Sequence, residues 1–565
     1  MYKLRDPDRL LFFALLALYV LPLWVFPFFP SQDGPTHLEN AVILRDYGRP
    51  DRPLLRTFYT LSSDFDPNWF GHLALAGLMS LFPPLIAEKV LLTGYLVLLP
   101  LAARYALNGV RAGAGWLAVL TFPFAQHFLY HMGFHNFCYS LAVFFFVAGY
   151  WLRHADHVGV RQTLALAALV VLLYFCHLVA VVMAFMLIGT LALGWTVLDR
   201  RARRPSSIRL RLLGPAVAFV PALALGLAFV GRQGQAMQWE YKPLLLTRLL
   251  ELDVLVSYLD LERLLSRLTF LGLLGLAAFV LWKRWRARLL EKRDLLLAVV
   301  ALALVAYFTA PSEMSGGSFL NTRLSLFVFL FLILWLGAHP LDPRLKRGVQ
   351  AAAALVALGL LGLHTWAYAE FNTSLKEYVD VASRLKPGVT VLPLTFSHQL
   401  QAGHLGKAKV GAFRHAAAYL TLRGDVVELE NYEANTGYFP VRYRPELNPF
   451  DHIGRENGRD KGLQAEPPDV TFLDYRPPVD YVLLWNVPDK PRDSPAGAAI
   501  FDQLDRSYER VEMPPGLIQL WQLRSRKRLR RRPTPPVSGR RVAPSSPDGR
   551  APPRPSRPGR SVPRC

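Results

Sequence analysis

Long apolar runs, separated by short polar stretches, fill the chain up to about residue 368. A helix needs about 20 apolar residues to cross the hydrocarbon core of a bilayer. Runs near this length predict transmembrane helices at 10–29, 69–83, 86–105, 112–128, 136–152, 162–197, 212–231, 264–282, 295–310, 324–339 and 349–368. Residues 1–368 are therefore predicted to form the membrane domain of an α-helical polytopic protein with about 11–13 transmembrane helices.

Basic residues near the ends of the apolar runs set the predicted orientation. Lys3, Arg5 and Arg9 precede the first run, and the positive-inside rule therefore places the N-terminus in the cytoplasm. The expected location is the cell inner (plasma) membrane, as a multi-pass protein. A first outer loop at 30–68 and an outer amphipathic loop at 232–262 would then face the opposite side.

Two features leave the number of crossings open. The run 162–197 is too long for one span and short for two, so it is either a single bent crossing or two short helices broken at Cys176-His177. The charges of the loops fit an odd number of crossings, which requires the run 162–197 to cross once. Arg104 and Arg111 fall outside if every early run crosses, which is a mild violation of the positive-inside rule.

Residues 369–523 predict a soluble extracytoplasmic α/β domain, because strand patterns and a helix alternate there. Its centre, His398–Asn448, is rich in His, Tyr, Arg and Gly. That composition suits a carbohydrate or anion surface and is equally ordinary loop content. The pattern predicts strands at 389–396, 480–485 and 516–523 and a helix at 496–508.

The last segment, 524–565, carries 14 Lys and Arg against one acid, Asp548, and with it +13 of the net charge of +22. It is also rich in Pro, Ser and Gly, so it cannot bury a core and is predicted to be a disordered basic tail. Such a tail favours anionic lipid headgroups, so membrane lipids are expected partners. Nothing on the body of the chain supports nucleic-acid binding.

The first outer loop opens with a polar stretch at 31–41 that carries two carboxylates, a histidine and a Gly-Pro turn. These groups can accept and donate protons, so Asp33, His37 and Glu39 are the candidate catalytic residues. A structural interpretation is equally open, in which the Asp-Gly-Pro sequence forms a turn and Thr36 caps a short helix.

Cations at the outer ends of the runs are candidates for binding a phosphate. Arg323 stands alone before the run 324–339, where it either extends to lipid headgroups or binds a lipid phosphate. Lys242 and Arg232 in the outer loop are further candidates. The stretch 244–265 predicts one amphipathic helix in the interface, which could line a groove for a lipid.

Polar residues elsewhere on the outer side are candidates for contact with an acceptor. Asp64 and Asp66 form an acidic turn near the end of the first loop. His127, His131 and His135 follow one another at spacing four, on one helical face that a glycine interrupts. That spacing spreads three side chains over about 12 Å of helix, whereas metal ligands must converge on one point. We therefore expect hydrogen bonds between helices here rather than a metal site.

This layout resembles the GT-C superfamily of membrane glycosyltransferases, which includes the protein O-mannosyltransferases and the bacterial aminoarabinose transferases. In that family an outgoing span leads into a loop with an acidic residue, a Pro and an aromatic or His, and then Ala. The stretch Asp33–Ala41, DGPTHLENA, is similar to this pattern. The family's second span often opens on Pro and an aromatic and closes on Phe-Gly or Phe-Pro, and Pro67–Phe70, PNWF, through Leu81–Pro83, LFP, is similar.

The resemblance implies a transferase that moves a sugar from a polyprenyl-phosphate donor to an acceptor hydroxyl on a lipid, glycan or protein. It implies Asp33 as general base with His37 or Glu39 beside it, Arg323 on the phosphate, and inversion at the sugar carbon C1. Family members often have two adjacent acids in the first loop, whereas Gly34 follows Asp33 here. A metal cofactor is therefore not expected.

Three other functions remain open on the sequence. A transporter or flippase would place polar residues near the middle of its spans and often shows internal repeats, and here the ionisable groups gather at the outer ends instead. An O-antigen polymerase or ligase would carry an Arg-rich outer loop between late spans. A non-enzymatic membrane protein with an extracytoplasmic glycan-binding domain would not need Asp33.

Overall fold

The structure is a computed structural model that describes residues 6–203, 208–234, 237–288, 291–314, 316–399, 405, 408–422, 424–454 and 462–524. The described chain is mostly helical and, up to Leu523, forms one compact unit. The predicted disordered tail, 524–565, lies outside the described residues apart from Arg524.

In the described part of the chain, fifteen α-helices precede the main sheet, and most of them are long and apolar. Eight of them, α1, α5, α7, α9, α10, α12, α14 and α15, are long and apolar enough to cross a membrane. Their bounds are α1 (Pro7–Val25), α2 (Gly34–Asp46), α3 (Pro53–Phe58), α4 (Phe70–Leu78), α5 (Pro84–Val110), α6 (Phe128–His131), α7 (His135–His154), α8 (Val160–Cys176), α9 (Leu178–Arg201), α10 (Ile208–Arg232), α11 (Lys242–Leu250), α12 (Glu262–Ala287), α13 (Leu295–Thr309), α14 (Leu320–Gly337) and α15 (Pro343–Ala382).

Fewer helices meet this criterion than the 11–13 expected, because three predicted spans form shorter elements. The run 69–83 becomes α4, a helix of nine residues. The run 112–128 contains a 3₁₀-helix, Ala114–Thr121. The run 295–310 becomes α13, with 15 residues. Hydropathy does not distinguish a side chain that faces lipid from one packed inside the protein, and Leu75 of α4 is fully buried.

The long run 162–197 divides into α8 and α9, so of the two alternatives left open the structure has the break at Cys176-His177. His177 ends α8 in an extended conformation and caps α9, where its Nδ1 accepts the N–H of Val179 at 3.2 Å. A side chain that satisfies a free N–H at a helix start makes a new helix easier to begin.

The single amphipathic helix predicted at 244–265 is wrong. The structure has α11, then a 3₁₀-turn at Asp253–Leu255, and α12 only from Glu262. Leu252 adopts a left-handed φ of 48°, which ends the first helix. The carboxylate of Glu262, the first residue of α12, accepts the backbone N–H groups of Tyr258 and Leu259 at 3.2 and 3.1 Å, which ties the preceding turn to the start of the helix.

A five-stranded sheet with the order β5-β4-β7-β9-β8 forms the main β-structure of the C-terminal part. Strand β4 is parallel to β5 and β7, whereas β9 is antiparallel to β7 and β8. The remaining elements are β1 (Tyr59–Leu61), β2 (Met237–Gln238), β3 (Glu313–Met314), β4 (Val389–Thr395), β5 (Val426–Glu428), α16 (Tyr432–Thr436), β6 (Val441–Tyr443), α17 (Pro449–His452), β7 (Tyr481–Trp485), α18 (Pro495–Ser507), β8 (Tyr508–Arg510) and β9 (Ile518–Leu523).

These bounds confirm the predicted strands at 389–396, 480–485 and 516–523 and the predicted helix at 496–508 within two residues. Helix α15 continues through the predicted boundary between residues 368 and 369. The separate α/β domain at 369–523 stays a prediction.

The first loop shares a hydrophobic core with this sheet. Ile43 of α2 and Phe58 of α3 pack in one cluster with Leu394 and Leu484. Strand β1 pairs antiparallel with β6. Apolar residues in the middle of the first loop therefore belong to a protein core, whereas Gly48–Asp51 are exposed.

Shortening a side chain at the centre of the sheet should destabilise this core. Leu484 is fully buried on β7, and Leu484→Ala should lower the free energy of unfolding by about 2–5 kcal/mol. The control is Leu81→Ala, which removes the same atoms from a side chain that is 77% exposed and should change stability little. Thermal or denaturant unfolding in detergent measures both, and equal effects would contradict the placement of the core.

Candidate functional site

Asp33 and Arg323 line the same cavity, which has a volume of about 230 Å³. The cavity lies between the start of α2, the start of α7, the turn before α14 and the segment around α16. Its walls mix charged, aromatic and amide side chains, which are Asp33, His37, Asn68, Phe134, Asn136, Phe137, His177, Ser318, Arg323, Tyr432, Glu433, Thr436, Tyr438 and Phe439. We call it the polar cavity.

A tight backbone turn positions Asp33 at this cavity. The N–H groups of Gln32 and Asp33 donate to the carbonyls of His131 and Met132 at 3.1 and 3.0 Å. Gly133 follows with a φ of +88°, and a Cβ atom there would lie 2.6 Å from the backbone nitrogen of Gly34. Both conditions require glycine at position 133.

Burial is the main influence on the Asp33 carboxyl, which is 5% exposed. It raises the pKa of Asp33 above its usual range, because a buried carboxylate loses its hydration. His415, with Nε2 at 3.8 Å from Oδ1, and His37 oppose this rise. A carboxylate with a raised pKa is better matched to proton transfer near neutral pH than an exposed one.

His37 forms a buried cluster with His72 and Glu433. Its Nδ1 lies 2.9 Å from Oε1 of Glu433 and 3.0 Å from Nε2 of His72, and that Nε2 lies 2.8 Å from Oε2 of Glu433. All three side chains are buried. Burial opposes the charge on His37, but Glu433 and Asp33 outweigh it, so the pKa of His37 is raised. The pKa of Glu433 is lowered despite its burial, because both imidazoles stabilise its carboxylate.

Glu39 does not line the polar cavity, which differs from its predicted place beside Asp33. Its side chain lies in a second buried group with Glu428, Glu430 and Asn431. Burial, with the charges of Glu430 and Glu433, raises the pKa of Glu39 well above its usual range. Positions 37 and 39 are two residues apart on α2, which is less than one helical turn. Their side chains therefore point to different faces of the helix.

Arg323 lies at the start of α14 with its guanidinium over the rings of Phe134 and Phe137, at 5.0 and 5.6 Å from their centroids. Its Nη1 donates to the carbonyl of Ser318, and its Nε has no hydrogen-bond partner among the described residues. Within the described part of the chain it forms no ion pair. Because buried cations normally have an anionic partner, this guanidinium is suited to bind an anion.

A second cavity, of about 270 Å³, adjoins the first and is mostly apolar. The two share Asn68, His177, Arg323 and Tyr438 in their walls. We call the second one the apolar cavity. Its other walls come from the starts of α9 and α14 and the ends of α10 and α13, and include Leu178, Val179, Val182, Met183, Phe229, Val230, Ala306, Ala310, Leu320 and Leu324.

Four of the predicted charged candidates lie away from both cavities. Arg232 forms an ion pair with Asp66, and Arg442 pairs with Asp64 at 2.7 Å. Lys242 is exposed at the first residue of α11. None of the four candidates lines either cavity; they are Asp64, Asp66, Arg232 and Lys242.

The histidines at spacing four do not share a helical face, because the turn at Gly133 separates α6 from α7. His131 is buried between the hydroxyls of Ser257 and Tyr368, each at 2.8 Å, which confirms the expected hydrogen bonds between segments. The ring of His135 packs on that of His37 with centroids 5.0 Å apart, and the residues that the structure describes offer neither of its nitrogens a hydrogen-bond partner. Neither residue lines the polar cavity.

His72 and Glu433 were not predicted from the sequence. A histidine inside the apolar run 69–83 was a usable signal, because ionisable residues in such runs are usually functional. No local pattern distinguishes Glu433, which lies 361 positions from His72. No protein-family model matches the chain, and no curated protein compared with it is significantly similar.

The backbone turn at Gly133 gives a direct test of this geometry. Gly133→Ala should destabilise the protein by about 1–2 kcal/mol for the left-handed backbone and by a further ~1–3 kcal/mol for the contact with Gly34. The matched control is Gly113→Ala, where φ is +81° but no atom lies within 4 Å of the added Cβ. Thermal unfolding of the two variants in detergent compares them, and a smaller effect at Gly133 would contradict the turn.

Proposed function

We propose that this protein is an integral membrane glycosyltransferase, resembling the GT-C superfamily, that moves a sugar from a polyprenyl-phosphate donor to an acceptor hydroxyl on the outer face of the membrane. The observation that carries the proposal is the junction of the two cavities at Arg323. An amphiphile with an apolar tail, an anionic link and a polar head matches the order of apolar cavity, cation and polar cavity.

The proposed topology has eleven crossings, with α8, α13 and the segment 112–133 added to the eight long helices and α4 left out. Arg104 and Arg111 then lie at the cytoplasmic end of α5, which removes the charge violation. Contacts between ends that this scheme puts in the cytoplasm support it. Nε of Arg111 donates to the carbonyl of Gly337 at 3.1 Å, and the start of α15 pairs with the start of α1 through an ion pair of Lys346.

The donor is proposed to lie across the junction. Its polyprenyl tail occupies the apolar cavity and continues into the bilayer, and its phosphate binds the guanidinium of Arg323. The hydroxyl of Tyr438 lines both cavities and can donate a second hydrogen bond. Burial raises the pKa of Tyr438 to about 12, so this hydroxyl keeps its proton at neutral pH.

The chemical step is a single displacement at C1 of the sugar. Asp33 takes the proton of the acceptor hydroxyl as that oxygen bonds to C1. The bond from C1 to the phosphate oxygen breaks, and Arg323 stabilises the charge on the leaving lipid phosphate. The configuration at C1 would invert, as the family resemblance implies. The acceptor is a lipid, a glycan or a protein.

Replacing the base should abolish transfer. Asp33→Asn keeps the shape of the side chain but cannot accept the proton, and the transfer rate should fall by about 10²–10⁴-fold. Transfer is measured in proteoliposomes with a polyprenyl-phosphate sugar. The matched control is Asp64→Asn, the same change on a residue that lies outside both cavities, and it should keep the activity. Equal activity of Asp33→Asn and the wild type would remove Asp33 as the base.

The raised pKa of Asp33 predicts a pH dependence. The base works when deprotonated, so the rate at saturating donor should fall as the pH drops through the pKa of Asp33, at a pH above the usual aspartate range. A pH–rate profile of the wild type measures this acid limb. A rate that stays constant down to the pKa of an ordinary aspartate would contradict this role.

A further inference from the structure

We propose that His37, His72 and Glu433 bind a divalent transition-metal ion at the edge of the polar cavity. The three side chains come from α2, α4 and α16, and each is buried. Their ligand atoms all lie within 4.8 Å of one another. This proposal does not depend on sugar transfer. It differs from the expectation that no metal cofactor is bound, which rested only on the absence of a second acid next to Asp33.

The contacts within the cluster are close to the spacing of ligands around one metal ion. The two imidazole nitrogens lie 3.0 Å apart, and each faces its own oxygen of Glu433, Nδ1 of His37 at 2.9 Å from Oε1 and Nε2 of His72 at 2.8 Å from Oε2. Atoms bound to one tetrahedral zinc ion at about 2.0–2.1 Å lie roughly 3.3 Å apart. An ion bound to the two nitrogens and to the carboxylate would therefore require the side chains to move outward.

The hydrogen bonds around the cluster point to a cation between its members. Nδ1 of His72 lies 3.3 Å from the carbonyl oxygen of Asn68, which is an acceptor and so favours a proton on that nitrogen. Nε2 of His72 then presents a lone pair to the carboxylate of Glu433 and to His37. A histidine held by a backbone carbonyl through its other nitrogen is the usual arrangement at metal sites.

Glu433 is held by an outer layer of amide groups. Nδ2 of Asn40 donates to its Oε2 at 2.5 Å, and Oδ1 of Asn40 in turn accepts from Nδ2 of Asn431 at 2.8 Å. Hydrogen bonds of this kind orient a ligating carboxylate and leave its other oxygen lone pairs for the ion. The competing arrangement places one extra proton on His72 and no metal in the cluster.

The donor set indicates the class of ion. Two imidazoles and one carboxylate suit Zn²⁺ and its neighbours in the first transition row, whereas Ca²⁺ and Mg²⁺ prefer oxygen ligands throughout. His37 and Glu433 line the polar cavity, so a fourth coordination position would open towards the space shared with Asp33 and Arg323. Three protein ligands with one open position are typical of catalytic zinc sites.

The test measures bound metal in the full-length protein, purified in detergent with a histidine-free tag. The protein is stripped with a chelator, loaded with Zn²⁺, desalted and analysed by elemental mass spectrometry. We expect about one zinc per wild-type chain, and at least a tenfold loss of affinity in His72→Gln and Glu433→Gln. The matched control is His452→Gln, which removes an exposed imidazole outside the cluster and should leave zinc binding unchanged.

Absence of bound zinc in the folded wild type would overturn the proposal and favour the extra proton on His72. Unchanged zinc binding in both cluster variants would overturn it too. Loading the wild type with Co²⁺ gives a second measurement, because ligation by this cluster produces visible d–d absorption. This measurement needs no variant and so does not depend on whether the variants fold. If the wild-type protein binds zinc but transfers no sugar, that result would count against the proposed transferase only.

Discussion

The burial of the polar helix α2 is the constraint on which the rest of the site depends. This helix is covered along almost its whole length, although it carries His37, Glu39 and Asp46. Burying such groups without partners would cost several kcal/mol each, so the fold must supply partners from elsewhere. Asp46 is paired within the same loop by Arg52 at 3.0 Å, whereas His37 is paired by Glu433 of the C-terminal part at 2.9 Å. The C-terminal part of the chain therefore completes the site instead of lying beside it.

What could be predicted from the sequence was mostly local. Strands β4, β7 and β9 were found because their apolar patterns are short and are bounded by turns, and the break at His177 was visible within its own run. Asp33 was selected as a candidate from a stretch of eleven residues. The partners of His37, which are His72 and Glu433, were not found, since a contact between positions 361 apart leaves no periodic trace in either segment.

Hydropathy also misjudged α4, for a related reason. Its run at 69–83 is apolar enough to suggest a span, but several of its side chains pack inside the protein, where burial has the same sequence signature as lipid contact. The histidine within it is buried against a carboxylate, which no lipid-facing helix would supply. The prediction of one helix at 244–265 failed for a different reason: Leu252 has a positive φ, and a turn separates α11 from α12.

The separation between His72 and Glu433 has a consequence for how the protein is made. Synthesis proceeds from the N-terminus at about 5–20 residues per second, so α4 waits on the order of 20–70 s before Glu433 leaves the ribosome. During that interval His37 and His72 lack the carboxylate that lies between them in the folded protein. The cluster can therefore be completed only after the C-terminal part of the chain has been synthesised.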